Sequence, residues 1–183
     1  MNTVDDQPFS LNGGDRKVTG GSLVHIVLIE PEIPGNTGNI ARLCAATGMR
    51  LHLVRPLGFS VEDKYLKRAG LDYWHLVDIV YHDSFAILWQ KYQSSPFHFF
   101  STKAPRIYTE AQFTPEDFLV FGKETAGIPE ELLKAHWECC LRIPMMTESR
   151  SLNLANAVAV ASYEALRQNR FEGLQRRGFD HLD

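Results

Sequence analysis

Long apolar runs and cysteines are both scarce in this sequence, and each shortage excludes a class of protein. No stretch approaches the roughly 20 apolar residues of a membrane-spanning helix, and residues 1–22 lack the apolar segment of a secretory signal. Three cysteines occur in the chain, and with Cys139 and Cys140 adjacent they form neither a disulfide framework nor a zinc motif. Because an odd cysteine count favours a reducing compartment, we expect a cytoplasmic protein without membrane or metal partners.

The overall composition is that of an ordinary globular domain. Hydrophobic residues make up 44% of the chain and charged residues 22%, as is typical of folded proteins. A length of 183 residues suits one domain with a sizeable core. We predict a disordered amino-terminal tail over 1–22, a single folded domain over 23–170 and a carboxyl-terminal tail over 171–183.

The charge is unevenly distributed. A formal net charge of −3 gives no global sign of nucleic-acid binding, yet the segment 42–68 is locally basic. Its basic residues are Arg42, Arg50, Arg55, Lys64, Lys67 and Arg68, against the acidic Glu62 and Asp63. Two interpretations stay open: a solvated surface between helices, or a phosphate-binding surface on an otherwise acidic protein.

Apolar, β-branched runs alternate along the chain with segments of helical periodicity. This alternation predicts an α/β fold, with a mostly parallel sheet and helices on both faces. The predicted strands span 22–30, 51–54, 77–80, 97–102, 118–122 and 139–144. The predicted helices span 37–48, 62–70, 84–92 and 129–136, and a last one begins at about Leu152.

Ligands of such folds bind where loops leave the carboxyl ends of the strands. The predicted strands are followed by the loops EPEIPGNTGN, KAPR, KETAGIP and MMTESRSLN, and the three later loops combine small and polar residues. Gly122 directly precedes the loop KETAGIP and Gly127 lies within it, but the segment lacks the Gly-Lys-Ser/Thr ending of a triphosphate-binding loop. Taken alone, these glycines are typical of a strand-to-helix turn that adopts positive φ.

Other common enzyme classes lack their signatures here. The first loop does not have the three-glycine spacing of a dinucleotide site, and Arg55 rather than an acid follows the second strand. The sequence contains no Gly-x-Ser-x-Gly elbow and no histidine motif for zinc. His25, His52 and His98 fall within predicted strands, and we interpret them as structural residues with satisfied hydrogen bonds.

Four segments together resemble the SPOUT class of RNA 2′-O-methyltransferases: EPEIPGNTGNIARLCAATG, LKRAGLDYW, FGKETAGIP and IPMMTESRSLNLANAVAVASYEA. Within that class the chain is most similar to the small, single-domain tRNA (cytidine/uridine) 2′-O-methyltransferases that modify the wobble nucleotide. The resemblance runs from about Val24 to Gln168. It implies a homodimer and a deep carboxyl-terminal trefoil knot, a feature that sequence patterns alone do not reveal.

The resemblance also implies a site for the methyl donor S-adenosylmethionine at the knot. By position, its contacts are Phe100, Gly122, Ile143 and Ser151. These residue types suit the donor, because adenine needs a flat apolar slot beside backbone donors and acceptors. For Ser151 a second interpretation stays open, since a serine in front of a helix also serves as an ordinary cap.

The same resemblance places Arg42, Asn153 and Tyr163 near the reacting centre. A guanidinium is effectively always protonated and is therefore a poor base. We accordingly assign Arg42 to orienting the nucleotide and stabilising the emerging alkoxide, and the proton acceptor is left open. We assign the contacts to RNA to four residues, namely Asn36, Lys67, Arg68 and Arg150. The three cations among them hold phosphates.

The implied reaction is 2′-O-methylation of the ribose of the wobble pyrimidine in the tRNA anticodon loop. Two alternatives stay open: methylation of another tRNA position or of ribosomal RNA, and RNA binding without catalysis. The lack of a separate RNA-binding domain favours the small anticodon-loop substrate. In the predicted dimer the final helices approach closely through small residues, namely Ala155, Ala157, Ala159, Ala161 and Ala165.

Overall fold

The structure, a computed structural model, describes residues 24–60 and 74–178. Two of the predicted features, the amino-terminal tail over 1–22 and the helix over 62–70, lie outside the described residues. Lys67 and Arg68 lie outside them as well. No helix in the described ranges is long and apolar enough to cross a membrane.

Within residues 24–60 and 74–178, seven strands form one parallel sheet and four helices cover it. The strands are β1 (His25–Ile29), β2 (Arg50–Val54), β3 (Ile79–His82), β4 (Phe97–Phe100), β5 (Arg106–Ile107), β6 (Phe118–Phe121) and β7 (Cys140–Arg142). The helices are α1 (Pro34–Thr47), α2 (Phe85–Tyr92), α3 (Glu130–Ala135) and α4 (Leu154–Gln168). The strand order is β3-β2-β1-β6-β4-β7-β5, and every neighbouring pair is parallel.

Two hydrophobic cores lie on opposite faces of the sheet. Because successive side chains of a strand point to opposite faces, Ile26 and Leu28 of β1 join the core under α1 and α4. Val27 and Ile29 join the other core, which contains Leu88 of α2 and Leu133 of α3. The predicted α/β class with helices on both faces is therefore confirmed, and the knot stays a prediction.

Several element boundaries differ from the sequence prediction. Helix α1 begins at Pro34 instead of 37, because proline at the first helical position has its φ already set. Strand β3 starts two residues late, after a 3₁₀ turn at Trp74–Leu76. The two-residue strand β5 was not predicted, and α4 begins at Leu154 rather than about Leu152.

The three histidines singled out by the sequence are structural, as interpreted. Nδ1 of His25 lies 2.8 Å from Nε2 of His52, whose Nδ1 lies 2.9 Å from Nε2 of His82. The rings of His25, His52 and His82 cross β1, β2 and β3 diagonally and are almost fully buried. His98 pairs with the buried carboxylate of Asp117 at 2.8 Å.

The strand order determines where a ligand site forms. Strands β1, β6, β4 and β7 are consecutive neighbours, so the loops that follow them leave the sheet side by side. These loops occupy residues 30–33, 101–105, 122–129 and 143–153. Three of the four are the small and polar loops that the sequence indicated.

Candidate functional site

A cavity of about 560 Å³ lies where these four loops meet the start of α4. This volume is within the range of small-molecule and cofactor pockets. All four predicted donor-binding residues line the cavity, namely Phe100, Gly122, Ile143 and Ser151. Three other predicted site residues line it too: Asn36, Arg150 and Asn153. The fold therefore brings together, from distant parts of the chain, residues that the resemblance assigned to one site.

One part of the cavity is flat and apolar. The ring of Phe100 stacks on Phe121 with centroids 4.8 Å apart and planes inclined by 14°. Ile143 and Met145 contribute aliphatic and thioether surface from the loop after β7. Such a slot, with the backbone of the loop after β6 beside it, fits a planar heteroaromatic ring.

Position 122 requires glycine because the backbone of Gly127 and Ile128 passes very close to it. The loop after β6 folds back, and the N–H of Gly127 donates to the carbonyl of Lys123 at 2.8 Å. A Cβ on Gly122 would lie 2.0 Å from the carbonyl carbon of Gly127 and 2.1 Å from the nitrogen of Ile128. Positive φ is adopted by Gly127, at 70°, and is not the reason for Gly122. The interpretation as a turn glycine with positive φ therefore holds for Gly127 and not for Gly122.

The polar end of the cavity is built around Asn153. Its Oδ1 caps α4 by accepting from the N–H groups of Ala155 at 2.9 Å and Asn156 at 3.3 Å. The interpretation of Ser151 as the helix cap is therefore wrong: the chain enters the helix two residues later, and Asn reaches these amides as well as Ser does. Ser151 lies exposed at the cavity, ahead of the helix.

A hydrogen-bonded chain connects this cap to the loop after β6. Nδ2 of Asn153 donates to Oδ1 of Asn36 at 2.9 Å, and Nδ2 of Asn36 donates to Glu124 at 3.0 Å. Asn36 is only 8% exposed, so both ends of its amide contact protein. Its predicted contact with RNA stays a prediction. Sequence reasoning missed Glu124, although a glutamate between the glycines of a cavity loop was a usable signal.

Two of the predicted catalytic residues lie outside the cavity lining of the protomer. Arg42 is exposed on α1, and it follows Asn36 by six residues, about 240° around the helix and 9 Å along it. Tyr163 is half exposed on α4, about 15 Å along that helix from Asn153. Within one protomer, only Asn153 of the predicted catalytic set lines the cavity.

The chain is similar to known proteins over most of its length. The profile described as SpoU rRNA Methylase family matches residues 23–163. A Bacillus subtilis (strain 168) protein, provisionally named tRNA (cytidine(34)-2'-O)-methyltransferase, is 51% identical over 155 residues, covering 83% of this chain and 97% of that protein. A Saccharophagus degradans protein of the same name, without the qualification, is 47% identical, covering 82% of this chain and 99% of that protein.

Solved structures share the fold. One, which concerns 2-OH methylation of C/U34 on tRNA, is 49% identical with a TM-score of 0.76 and covers 82% of this chain and 98% of that chain. Another is an AdoMet-bound rRNA methyltransferase from Sinorhizobium meliloti. It is 26% identical with a TM-score of 0.69, and it covers 79% of this chain and 56% of that larger chain.

Proposed function

Because the chain belongs to the SpoU rRNA methylase family, we propose that it transfers a methyl group from S-adenosylmethionine to the ribose 2′-hydroxyl of the wobble pyrimidine in tRNA. The observation that carries this proposal is the cavity lined by Phe100, Gly122, Ile143 and Ser151, in a chain about half identical to proteins named for cytidine 34. Family membership confirms the class of enzyme predicted from the motifs.

The residues of the cavity fit S-adenosylmethionine. The apolar slot at Phe100 and Ile143 suits the adenine, and the close backbone approach at Gly122 lets the loop after β6 fold back beside that slot. We assign Ser151 and Asn153 to the polar amino acid end. The donor supplies a methyl group on a sulfonium, which leaves readily. The protein must therefore mainly bind the donor, orient the ribose and stabilise charge on the attacking oxygen.

We assign that last task to Arg42. A permanently charged guanidinium stabilises a developing alkoxide without taking its proton. Arg42 is exposed and outside the cavity lining of its own protomer, so the assignment requires either a bound RNA that extends to α1 or a second protomer. Tyr163 also lies outside the cavity lining of its own protomer, and it stays a secondary candidate.

We infer a homodimer, which would supply that second protomer. Exposed apolar side chains on and just before α4, namely Leu152, Val160 and Tyr163, provide a surface for the helix of a second protomer. The alanine argument from sequence needs revision, because Ala155, Ala161 and Ala165 are buried in the protomer's own core. The proposed interface therefore rests on the larger exposed residues, with Ala157 and Ala159 beside them.

The choice of tRNA over ribosomal RNA rests on the relatives. Those about half identical to the chain are named for tRNA cytidine 34, whereas the ribosomal RNA enzyme is 26% identical and belongs to a longer chain. A tRNA substrate also makes the cytoplasm the expected location. Labelled methyl transfer to bulk tRNA and to ribosomal RNA tests the choice. Transfer confined to ribosomal RNA would contradict the proposal.

A further inference from the structure

Two loops beside the cavity exchange hydrogen bonds in both directions, and we call this set of contacts the clasp. One loop is residues 30–33 after β1, and the other is residues 123–125 after β6. The carboxylate of Glu32 accepts from the hydroxyl of Thr125 at 2.7 Å and from its N–H at 3.1 Å. The carboxylate of Glu124 accepts in return from the N–H groups of Glu32 at 2.8 Å and Ile33 at 3.2 Å.

An ion pair and a strained backbone complete the clasp. Nζ of Lys123 lies 2.8 Å from the carboxylate of Glu30. Glu30 itself has a φ of 49°, a left-handed conformation that costs free energy for a residue other than glycine and persists only where the surroundings impose it. The turn at Glu30 directs residues 31–33 towards the loop after β6. Strain of this kind is concentrated at functional sites.

The loop after β1 is also held from its other side. The N–H of Gly58 donates to the carbonyl of Pro31 at 2.9 Å. A Cβ at Gly58 would lie 2.7 Å from Cα of Glu32, so the loop after β2 packs directly on this backbone. With contacts on both sides, residues 31–33 have little freedom to follow the loop after β6 if the clasp is broken.

The clasp continues into both helices of the candidate site. Glu124 binds Asn36 in the first turn of α1, and Asn36 binds Asn153 at the start of α4. One wall of the donor cavity is thereby fixed relative to α1, the helix that carries Arg42. The two hydrogen bonds from Thr125 lower the pKa of Glu32, so its carboxylate is ionised at neutral pH.

From this geometry we propose that Glu32 is a positioning residue, which holds the donor-binding loop after β6 in register with the helix that presents Arg42. The inference rests on the proposed function. Surface hydrogen bonds and ion pairs contribute little to folding stability, whereas a reacting group misplaced by about 1 Å can lower a rate about 100-fold. Breaking the clasp should therefore slow methyl transfer far more than it destabilises the protein.

The test compares Glu32→Ala and Thr125→Val with the control Glu131→Ala. Glu131 is an exposed glutamate that pairs with Lys134 of the same helix, α3, so its replacement matches the change in charge. We expect single-turnover rates at saturating donor and tRNA to fall about 10-fold or more in both clasp variants. The melting temperature should stay within a few degrees and the donor Kd within about 3-fold. Thr125→Ser, which retains the hydroxyl, should recover most of the rate lost in Thr125→Val.

The double variant separates a shared contact from two independent effects. Because Glu32 and Thr125 act through one interaction, Glu32→Ala/Thr125→Val should be little slower than Glu32→Ala alone. Rates equal to wild type, a loss that saturating donor removes, or an equal loss in Glu131→Ala would each overturn the proposal. If Glu32→Ala does not fold, the Thr125→Val and Thr125→Ser pair decides. A wild-type protein that binds donor but methylates no tRNA would instead remove the proposed function.

Discussion

At the scale of single residues, Gly122 gives the sharpest prediction about the donor cavity. A methyl group at this position would lie about 2 Å from the backbone of Gly127, so Gly122→Ala should force the loop after β6 out of place. We expect donor affinity to fall at least about 10-fold by calorimetry, because the loop backbone forms the wall of the slot. Gly178→Ala, where an added Cβ meets nothing within 4 Å, is the matched control. Unchanged affinity in a folded Gly122→Ala protein would remove Gly122 from the donor site.

Replacing Arg42 should lower turnover, whereas replacing a phosphate-binding residue should lower the affinity for tRNA. If its guanidinium stabilises the attacking oxygen, Arg42→Ala should lower turnover about 100-fold or more, with donor affinity nearly intact. Replacing Lys67 or Arg68, which lie outside the described residues, should instead weaken tRNA binding and reduce its salt dependence. Single-turnover rates at saturating tRNA separate the two classes. Normal rates for Arg42→Ala at saturation would make Arg42 a binding residue only.

At the scale of elements, the histidines that cross β1, β2 and β3 link stability to pH. Burial first, and then neighbouring charges, lower the pKa of His52 to about 2, and burial lowers the pKa of His25 and His82. Below the unfolded value of about 6.5 the unfolded chain binds more protons than the folded one, so stability falls as pH falls. For His52 the loss approaches about 1.4 kcal/mol per pH unit.

Denaturant unfolding between pH 6.5 and 5 measures this loss, because carboxylates titrate mostly below that window. We expect the free energy of unfolding to decrease steadily over the window. The decrease should be smaller in His52→Gln, which retains a polar side chain but does not titrate. A flat profile in the wild-type protein would show that the three rings are not held neutral by the fold.

The elements also show why some features were predictable and others were not. Strand β1 is a continuous apolar run buried on both faces, and such runs are recognisable from sequence. Strand β5 has two residues and exists only because β7 lies beside it, which is tertiary information. Phe100, Gly122, Ile143 and Ser151 were assigned by position from the SPOUT resemblance, and the fold brings them together because loops after neighbouring parallel strands meet. The pairing of Glu32 with Thr125 spans 93 residues and leaves no local pattern.

At the scale of the whole molecule, assembly should depend on the exposed face of α4. Val160 and Tyr163 are three residues apart and therefore share one side of the helix, and both are exposed in the protomer. Val160→Glu introduces a better helix former than valine but would bury a charge in the proposed interface, so we expect it to yield a monomer with little activity. Gln175→Glu, an exposed change outside α4, is the control. Sedimentation that finds a fully active wild-type monomer would contradict the dimer.

The central claim for the whole molecule is methylation of one ribose hydroxyl of tRNA, at the wobble position. The most direct measurement is transfer of labelled methyl from S-adenosylmethionine to tRNA that carries either a ribose or a 2′-deoxyribose at position 34. Removing that hydroxyl removes the nucleophile and leaves the rest of the substrate unchanged. We expect transfer to the ribose form alone, with the label recovered in nucleotide 34. Equal transfer to both forms, or label at another position, would contradict the account.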